Sequence, residues 1–382
     1  MTTPADLMAE AREQTGLEDF GPGDFEEGLG VYWESVCSEA KLNDIGAVAV
    51  PQLIVSSLAN RLRVIDWAAR NADVADERID APLIVIGMFR AGTTFLSNLL
   101  DRDSHNRSLL RWEAGDSVPP PSSAAFRSGP RVDAARTSGD LLEQLNPKMA
   151  VVHHEEPDGP TECVSVLRQD FKSLLWEAVT NVPAYGEWLR QVDQSSAYHY
   201  HRLVLQVLQH GGVRGRWTLK SPHHAIALEA LTTVYPDARL VLLHRDPLVL
   251  CGSVCSLIST LSGTFSDADH QPYIAEHWTA ILELSVDRIE SFRAAHPEHP
   301  VLDIQYADLV QEPVETVARI YATAGEALHE DARAAMDSYV AADRKKKSGI
   351  HRYRLADAGL DEGAVAERFV DYLSRYRIPS EH

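Results

Sequence analysis

The stretch PLIVIGMFRAGTTFLSNLL, residues 82–100, decides the fold of this chain. Its apolar and mostly β-branched run at 83–86 predicts a buried strand, and Phe95 with the leucines around it recurs at helical spacing. The turn between them, from Gly87 to Gly92, would aim backbone N–H groups and the positive end of the helix dipole in one direction. A strand, a tight turn and a helix in this order predict an anion site, and phosphate is its usual occupant.

The turn has the glycine spacing of a P-loop but not its lysine, because Thr93 stands at the lysine position. Arg90 supplies a positive charge inside the loop instead. A kinase or ATPase needs the lysine on the terminal phosphates, so the loop predicts phosphate binding without a design for ATP. The glycine spacing alone is a weak signal, since a turn without a ligand can share it.

Composition and charge limit the class of protein. The chain has 382 residues, of which 45% are hydrophobic, enough for one large domain or two. Its formal charge of −20 gives no overall attraction for nucleic acid or an anionic membrane, so an anionic ligand needs a local basic pocket. No apolar run approaches the ~20 residues of a membrane span, and the acidic first thirty residues do not resemble a signal peptide. Cysteines without metal-ligand spacing fit a reducing compartment, which predicts a cytoplasmic protein.

Strand and helix patterns alternate through the second half of the chain. Strands are predicted at 216–219, 239–243 and 301–304, with helices between them, and this order indicates a parallel sheet with right-handed crossovers. The predicted fold class is α/β, with a P-loop-like central parallel sheet flanked by helices. A largely helical, aromatic-rich region is expected at about 104–210, interrupted by the prolines at 119–121.

The N-terminal part has a different pattern. Apolar residues at helical spacing between 31 and 75 predict amphipathic helices. We therefore expect residues 1–75 to form a helical extension packed on the core, and residues 76–382 to form a single domain.

Cationic side chains follow three of the predicted strands. Arg90 comes after the first strand, Lys220 after the second and Arg245 after the third. Because ligands of open α/β sheets bind beyond the carboxyl ends of the strands, we expect these cations to meet at one edge. Ser253, about two helical turns after Arg245, can reach the same anion. Taken singly, Arg245 is better explained by a surface ion pair with Asp246, and Ser253 by a hydroxyl bonded to its own helix. Taken together with the loop, the two residues favour an anion site.

These motifs resemble the sulfotransferases that use 3′-phosphoadenosine 5′-phosphosulfate (PAPS), most closely their large bacterial branch. The Pro-Arg-Ser-Gly-Thr-Thr loop of that branch is similar to residues 89–94. Its second signature is similar to RWTLKSPHH at 216–224, to YPDARLVLLHRDP at 235–247 and to the placing of Ser253. The sequence HRYRLADAGL at 351–360 is similar to that branch as well.

The resemblance implies a role for each residue of these motifs. Arg90 and Lys220 would lie at the sulfuryl group, and Arg245 with Ser253 would hold the 3′-phosphate. The backbone and threonine hydroxyls of the loop would hold the 5′-phosphate, and Phe95 would pack beside the adenine. The implied cofactor contacts are Arg90, Ala91, Gly92, Thr93, Thr94, Phe95, Lys220, Arg245 and Ser253.

Two positions depart from the family pattern. Phe89 replaces the usual proline, and Ala91 replaces a serine whose hydroxyl can bond near the sulfuryl group. The loss of that hydroxyl could slow transfer or alter the control of PAPS hydrolysis, but it leaves the backbone of the loop intact.

The general base is open among a few residues. Glu113 is the first choice, because several members of the family carry a catalytic glutamate in this region, although an ion pair with a nearby arginine explains it almost as well. His154 or Glu155 is the runner-up. His223 lies one residue past the position of the catalytic histidine in cytosolic sulfotransferases.

The resemblance implies in-line transfer of a sulfuryl group from PAPS to the hydroxyl of a small, fairly apolar acceptor, releasing adenosine 3′,5′-bisphosphate without a metal. The acceptor would be an alcohol or phenol such as a lipid, glycolipid, sterol or secondary metabolite, and neither nucleic acid nor a membrane span is expected. A homodimer is left open. The alternatives are a small-molecule P-loop kinase and a non-catalytic nucleotide-binding protein with a sulfotransferase-like fold.

Overall fold

The computed structural model describes residues 2–149, 155–346 and 354–381. The chain divides into two compact units. The first comprises Met1–Ile79, Leu109–Arg214 and Ile258–His270, and the second comprises Asp80–Ser108, Gly215–Leu257 and Gln271–His382. The expected boundary between residues 75 and 76 stays a prediction.

A parallel sheet organises the second unit. Its strands are β1 Leu83–Gly87, β2 Asn106–Ser108, β3 Arg216–Lys220, β4 Arg239–His244 and β5 Val301–Gln305. In the part of the chain that the structure describes, they form one five-stranded sheet in the order β2-β3-β1-β4-β5. Every residue of the central strand β1 is buried, as its unbroken apolar run predicts. The α/β fold class is confirmed.

The register brings the expected strand ends together. In the parallel pairs, Val85 of β1 lies opposite Lys220 of β3, and Gly87 lies opposite Leu243 of β4. The carboxyl ends of β3, β1 and β4 therefore lie side by side at one edge of the sheet. This edge is where ligands bind in folds of this kind.

The short strand β2 was not predicted. Its sequence Asn-Arg-Ser has no apolar residue and only three positions, so neither alternation nor hydrophobicity marks it. Pairing with β3 supports it instead: Ser108 Oγ lies 3.0 Å from Thr218 Oγ1, and the Arg107 guanidinium lies 4.6 Å from the ring centre of Trp217. Tertiary contacts create this strand, not local preference.

Helices surround the sheet in the second unit. The α-helices are Thr93–Leu100, Leu228–Val234, Gln271–Ala295, Tyr306–Gln311, Pro313–Thr323, Glu330–Lys346, Glu362–Arg368 and Val370–Tyr376. The helix Pro247–Ser262 belongs to this unit up to Leu257 and to the first unit from Ile258 onward. The 3₁₀ helices are Pro222–Ile226 and Leu355–Ala358. Between the strands predicted at 216–219 and 239–243, where the sequence predicts a helix, the structure has a 3₁₀ turn and then a separate α-helix. Pro222 begins that turn, and Ser221 Oγ accepts the N–H of His223 at 3.2 Å.

The first unit is helical. Its α-helices are Pro4–Thr15, Phe25–Glu39, Asp44–Arg70, Arg111–Gly115, Pro130–Leu145, Val164–Leu167, Leu174–Val179, Pro183–Gln191 and Ser195–Gln209. Its 3₁₀ helices are Ala72–Asp76, Ser123–Ala125 and Arg168–Asp170. The helices predicted between 31 and 75 correspond to Phe25–Glu39 and Asp44–Arg70.

The helix Asp44–Arg70 is long and apolar enough to cross a membrane by length and composition. However, 56% of its most apolar window is buried inside the structure. It also carries Arg61, whose guanidinium donates to Asp170 Oδ1 at 2.9 Å and lies 4.5 Å from the ring centres of Phe25 and Tyr200. Because this buried charge is paired and covered inside the unit, the helix has the character of a core helix.

Candidate active site

The loop after β1 contains two residues with left-handed backbone. Arg90 has φ +70°, and Gly92 has φ +98°. At Gly92 an added Cβ would also come within 2.8 Å of the Tyr306 ring, so both conformation and space require glycine. The eight-residue helix Thr93–Leu100 begins directly after Gly92. The loop and the helix start together provide the backbone N–H groups that suit an anion.

Arg90 is held by two residues that lie beyond the neighbouring strand β4. Its Nε donates to Ser253 Oγ at 3.1 Å, and its backbone oxygen accepts from Arg245 Nη1 at 2.9 Å. Both contacts come from residues that follow β4 in the chain. The structure thus brings together Arg90, Arg245 and Ser253, three residues that the sequence marks independently.

Lys220 brings a second cation to the loop. It ends β3 and is fully buried, and its Nζ donates to Thr94 Oγ1 at 3.1 Å. Burying an ammonium costs free energy unless hydrogen bonds and opposite charge compensate it. A buried lysine at the start of a helix and beside a glycine loop is therefore well suited to an anionic ligand.

Arg245 is oriented by a ring and a carboxylate. Its guanidinium carbon lies 3.9 Å from the ring centre of Tyr306. Its Nε and Nη2 donate to the two carboxylate oxygens of Glu381, each at 2.9 Å. This two-bond fork is the geometry in which arginine binds a phosphate. The carboxylate is an oxyanion, and a phosphate group can accept the same pair of N–H bonds from Arg245.

The remaining loop residues are covered to different degrees. Ala91 is fully buried, so the alanine lies inside the loop and not at its surface. The half-buried ring of Phe95 lies 6.2 Å from the ring of Tyr339, centre to centre. An aromatic pair of this kind offers an apolar surface beside the start of the helix.

The sequence interpretation missed Tyr306, Tyr339 and Glu381. Tyr306 directly follows β5, so the rule that ligands lie beyond strand ends would have found it. Nothing in the local sequence marks Tyr339 or Glu381.

The first choice for the base, Glu113, belongs to the first unit. Its side chain is fully buried, and Oε2 accepts the backbone N–H of Leu110 at 3.1 Å, which caps the helix Arg111–Gly115. The neighbouring Arg111 guanidinium donates to the backbone oxygen of Glu155 at 2.6 Å. A structural role at the helix start therefore stands beside any catalytic one.

Burial of His223 bears on its suitability as the base. His223 is fully buried, and burial lowers its pKa from the ordinary 6.5 to about 3. A histidine with so low a pKa is a poor proton acceptor at neutral pH, which weakens its case as the base. His154 lies outside the described residues. The side chain of Glu155 accepts from Thr161 Oγ1 at 3.2 Å.

Across 2–149, 155–346 and 354–381 there is no group of three or more histidine, cysteine, aspartate or glutamate residues able to hold a metal ion.

Comparison with known proteins agrees with this geometry. The pattern of the Sulfotransferase family matches residues 82–331, which include β1, the loop, Lys220 and Arg245. The crystal structure of sulfotransferase STF9 from Mycobacterium avium is 32% identical and covers 100% of this chain and 98% of its own, with a TM-score of 0.92. Sulfotransferase STF1 from Mycobacterium tuberculosis is 31% identical over 97% of this chain and 99% of its own, with a TM-score of 0.85.

A more distant relative is named for its substrate. The omega-hydroxy-beta-dihydromenaquinone-9 sulfotransferases Stf3 of Mycobacterium bovis and Mycobacterium tuberculosis are 23% identical over 256 residues. The match covers 63% of this chain and 62% of each relative, less than two thirds of their length. With the family pattern spanning most of the chain and two solved sulfotransferases matching nearly all of it, the chain belongs to the sulfotransferase family.

Proposed function

We propose that this protein transfers a sulfuryl group from PAPS to a hydroxyl of a small, apolar acceptor. The observation that carries the proposal is the meeting of Arg90, Lys220 and Arg245 around a loop that has no P-loop lysine. Three cations from three strand ends suit a ligand with separate phosphate and sulfate groups. An ATP site would need the lysine at Thr93.

The nucleotide would be held by the loop and by the residues after β4. The backbone N–H groups and threonine hydroxyls at 92–94 are assigned to the 5′-phosphate, and Phe95 is assigned to the adenine. Arg245 and Ser253 are assigned to the 3′-phosphate. The forked carboxylate on Arg245 supports the last assignment, because phosphate and carboxylate accept the same pair of N–H bonds.

Bound PAPS would supply the activated sulfuryl group. Arg90 and Lys220 would hold positive charge where negative charge grows as the group leaves the nucleotide. Ser253 and Thr94 already orient these two side chains, so little rearrangement is needed to use them. Fixed charges of this kind stabilise a transition state more than mobile solvent does.

The acceptor hydroxyl needs a base, and Glu113 remains our first choice. A carboxylate can accept the proton of an alcohol as the hydroxyl attacks. Its buried position excludes bulk water from the carboxylate. His154 and His223 stay as alternatives, with His223 disfavoured by its low pKa.

We further propose that the acceptor is a hydroxylated lipid or a similarly apolar alcohol or phenol. The support is the name of the Stf3 relatives, which gives a hydroxylated menaquinone as their substrate. We expect no metal requirement, no nucleic-acid partner and a cytoplasmic location. These expectations follow from the charge, the cysteine pattern and the family resemblance.

A direct assay tests the proposed function. The purified protein is incubated with PAPS and a panel of apolar alcohols, phenols and extracted lipids, and products are analysed by mass spectrometry for a gained sulfuryl group. Release of adenosine 3′,5′-bisphosphate must accompany product, and both must fall in Arg90→Ala. Tighter calorimetric binding of ATP with Mg²⁺ than of the bisphosphate would favour a kinase instead. Bisphosphate binding without turnover over the whole panel would favour a non-catalytic protein.

A further inference from the structure

The segment 377–381 places a carboxylate on Arg245. This segment follows the helix Val370–Tyr376 and ends at Glu381, whose carboxylate forms the two-bond fork with Arg245 Nε and Nη2. The guanidinium has a third contact, since Nη1 donates to the backbone oxygen of Arg90 at 2.9 Å. Glu381 therefore takes up two of the N–H groups with which Arg245 can grip an external anion.

The fork lies beside an opening in the second unit. A cavity lined in part by Arg245, Tyr306, Ile378, Pro379 and Glu381 borders it. The stacked Tyr306 ring fixes the plane of the guanidinium at 3.9 Å, so the two N–H bonds keep their direction whichever anion accepts them. A phosphate that enters here would use the bonds that Glu381 now accepts.

We propose that Glu381 competes with the 3′-phosphate for Arg245, and that the 377–381 segment thereby weakens binding of PAPS and of its bisphosphate product. This inference rests on the proposed function, because it takes Arg245 as the 3′-phosphate ligand. The Glu381 carboxylate acts as an internal anion that must leave Arg245 before the nucleotide is fully bound. The same competition favours departure of the product, which carries the same 3′-phosphate.

The attachment of the segment is suited to displacement. Ile378 is buried and anchors one end, whereas Pro379 and Ser380 are exposed. At the other end, the backbone N–H of Glu381 donates to Asp246 Oδ2 at 3.0 Å. Release of the carboxylate therefore needs movement of a few exposed residues and no unfolding of the helix before them.

The ion pair itself is of modest strength. The Arg245 side chain is 18% exposed and that of Glu381 is 28% exposed, so solvent screens their attraction in part. Partly exposed pairs of this kind stabilise weakly, and their removal should tighten a competing ligand about two- to fivefold. A phosphate, which carries more charge, can displace such a partner at moderate concentration.

The test compares two nucleotides that differ in the 3′-phosphate. Affinities of adenosine 3′,5′-bisphosphate and of adenosine 5′-monophosphate are measured by calorimetry for the wild type, for Glu381→Gln and for Glu367→Gln. Glu367 is an exposed carboxylate of the same unit, so its variant controls for general loss of negative charge. We expect Glu381→Gln alone to tighten the bisphosphate about two- to fivefold and to leave the monophosphate unchanged.

Other outcomes overturn the inference. Equal tightening of both nucleotides, unchanged affinity, or weaker bisphosphate binding in Glu381→Gln would each show that Glu381 does not compete with the 3′-phosphate. In an Arg245→Ala background, Glu381→Gln must lose its effect, and a retained effect counts against the competition. If the wild type and Glu381→Gln both bind the bisphosphate no better than the monophosphate, the proposed function itself fails, and the inference fails with it.

A second measurement uses the unaltered protein. Hydrogen exchange of the 377–381 segment is followed with each nucleotide, because the Glu381 amide is protected by Asp246 in the structure. The bisphosphate should speed exchange there and the monophosphate should not. Slower exchange with the bisphosphate would mean that the segment closes over the nucleotide, which contradicts displacement.

Discussion

Lys220 Nζ donates to Thr94 Oγ1 at 3.1 Å, which joins the end of β3 to the first turn of the helix after the loop. The lysine is fully buried, so bulk water does not solvate its charge. Its position is fixed by β3, and its hydrogen bond is fixed by the helix. Under the proposed function, such a group would stabilise the transition state through its fixed position, and its removal should affect transfer more than binding.

Replacement of Lys220 by methionine should therefore separate turnover from affinity. Methionine keeps an unbranched side chain in the core but removes the charge. We expect kcat to fall about 10²- to 10³-fold, as for loss of one fixed catalytic donor, with less than about a tenfold change in bisphosphate affinity. Steady-state kinetics and calorimetry measure the two quantities. Lys148→Met, at an exposed lysine, should change neither. Parallel loss of both in Lys220→Met would reassign the lysine to nucleotide binding.

Gly92→Ala tests the shape of the loop. Its φ of +98° and the 2.8 Å approach of an added Cβ to the Tyr306 ring should together destabilise the fold by about 1–3 kcal/mol. Gly30 lies within the helix Phe25–Glu39 and has open space around an added Cβ. Gly30→Ala should therefore stabilise the protein by about 0.4–1 kcal/mol. Denaturant unfolding of both variants checks the contrast, and equal effects would refute the loop geometry.

The sequence was sufficient to predict the central strand of the sheet and the grouping of the cations around the loop. The apolar side chains at 83–86 are stable only when they are buried inside the protein. In a parallel sheet, the residues that follow each strand lie at the same edge, the carboxyl-end edge. Arg90, Lys220 and Arg245 could thus be grouped without coordinates.

Contacts that depend on distant parts of the chain could not be found in this way. β2 is polar and short, and it exists because β3 offers an edge to it. Glu381 is 136 residues from Arg245, and an acidic residue near the end of an acidic chain carries no signal of its partner. The burial that lowers the pKa of His223 likewise comes from packing around it, which no local pattern reports.

His223 should make stability depend on pH. Its folded pKa is about 3 because of burial, whereas the unfolded chain has the ordinary value of 6.5. Below pH 6.5 the unfolded state binds a proton that the folded state does not, so stability falls as pH falls from about 6.5 toward 3. The loss is up to about 1.4 kcal/mol per pH unit. His223→Gln should reduce this slope, measured by denaturant unfolding at pH 6.5, 5.5 and 4.5, and an unchanged slope would contradict the folded pKa.

Glu113→Gln separates the structural role of this residue from catalysis. Glutamine keeps an oxygen that can accept the Leu110 N–H, so the helix Arg111–Gly115 and the fold should be preserved. It cannot accept a proton, so we expect kcat to fall about 10²- to 10⁴-fold, with unchanged bisphosphate affinity.

The comparison variant is Glu155→Gln, which replaces another carboxylate of the first unit whose side chain accepts from Thr161. Because Glu155 was itself an alternative base, the pair of variants also decides between the two carboxylates. Loss of turnover only in Glu113→Gln assigns the base to Glu113, and loss only in Glu155→Gln assigns it to Glu155. Full activity in both would exclude the carboxylates and direct the search to His154 and His223. His223→Gln with retained turnover would then leave His154, because the enzyme would work without the His223 imidazole, whose low pKa already makes it a poor proton acceptor.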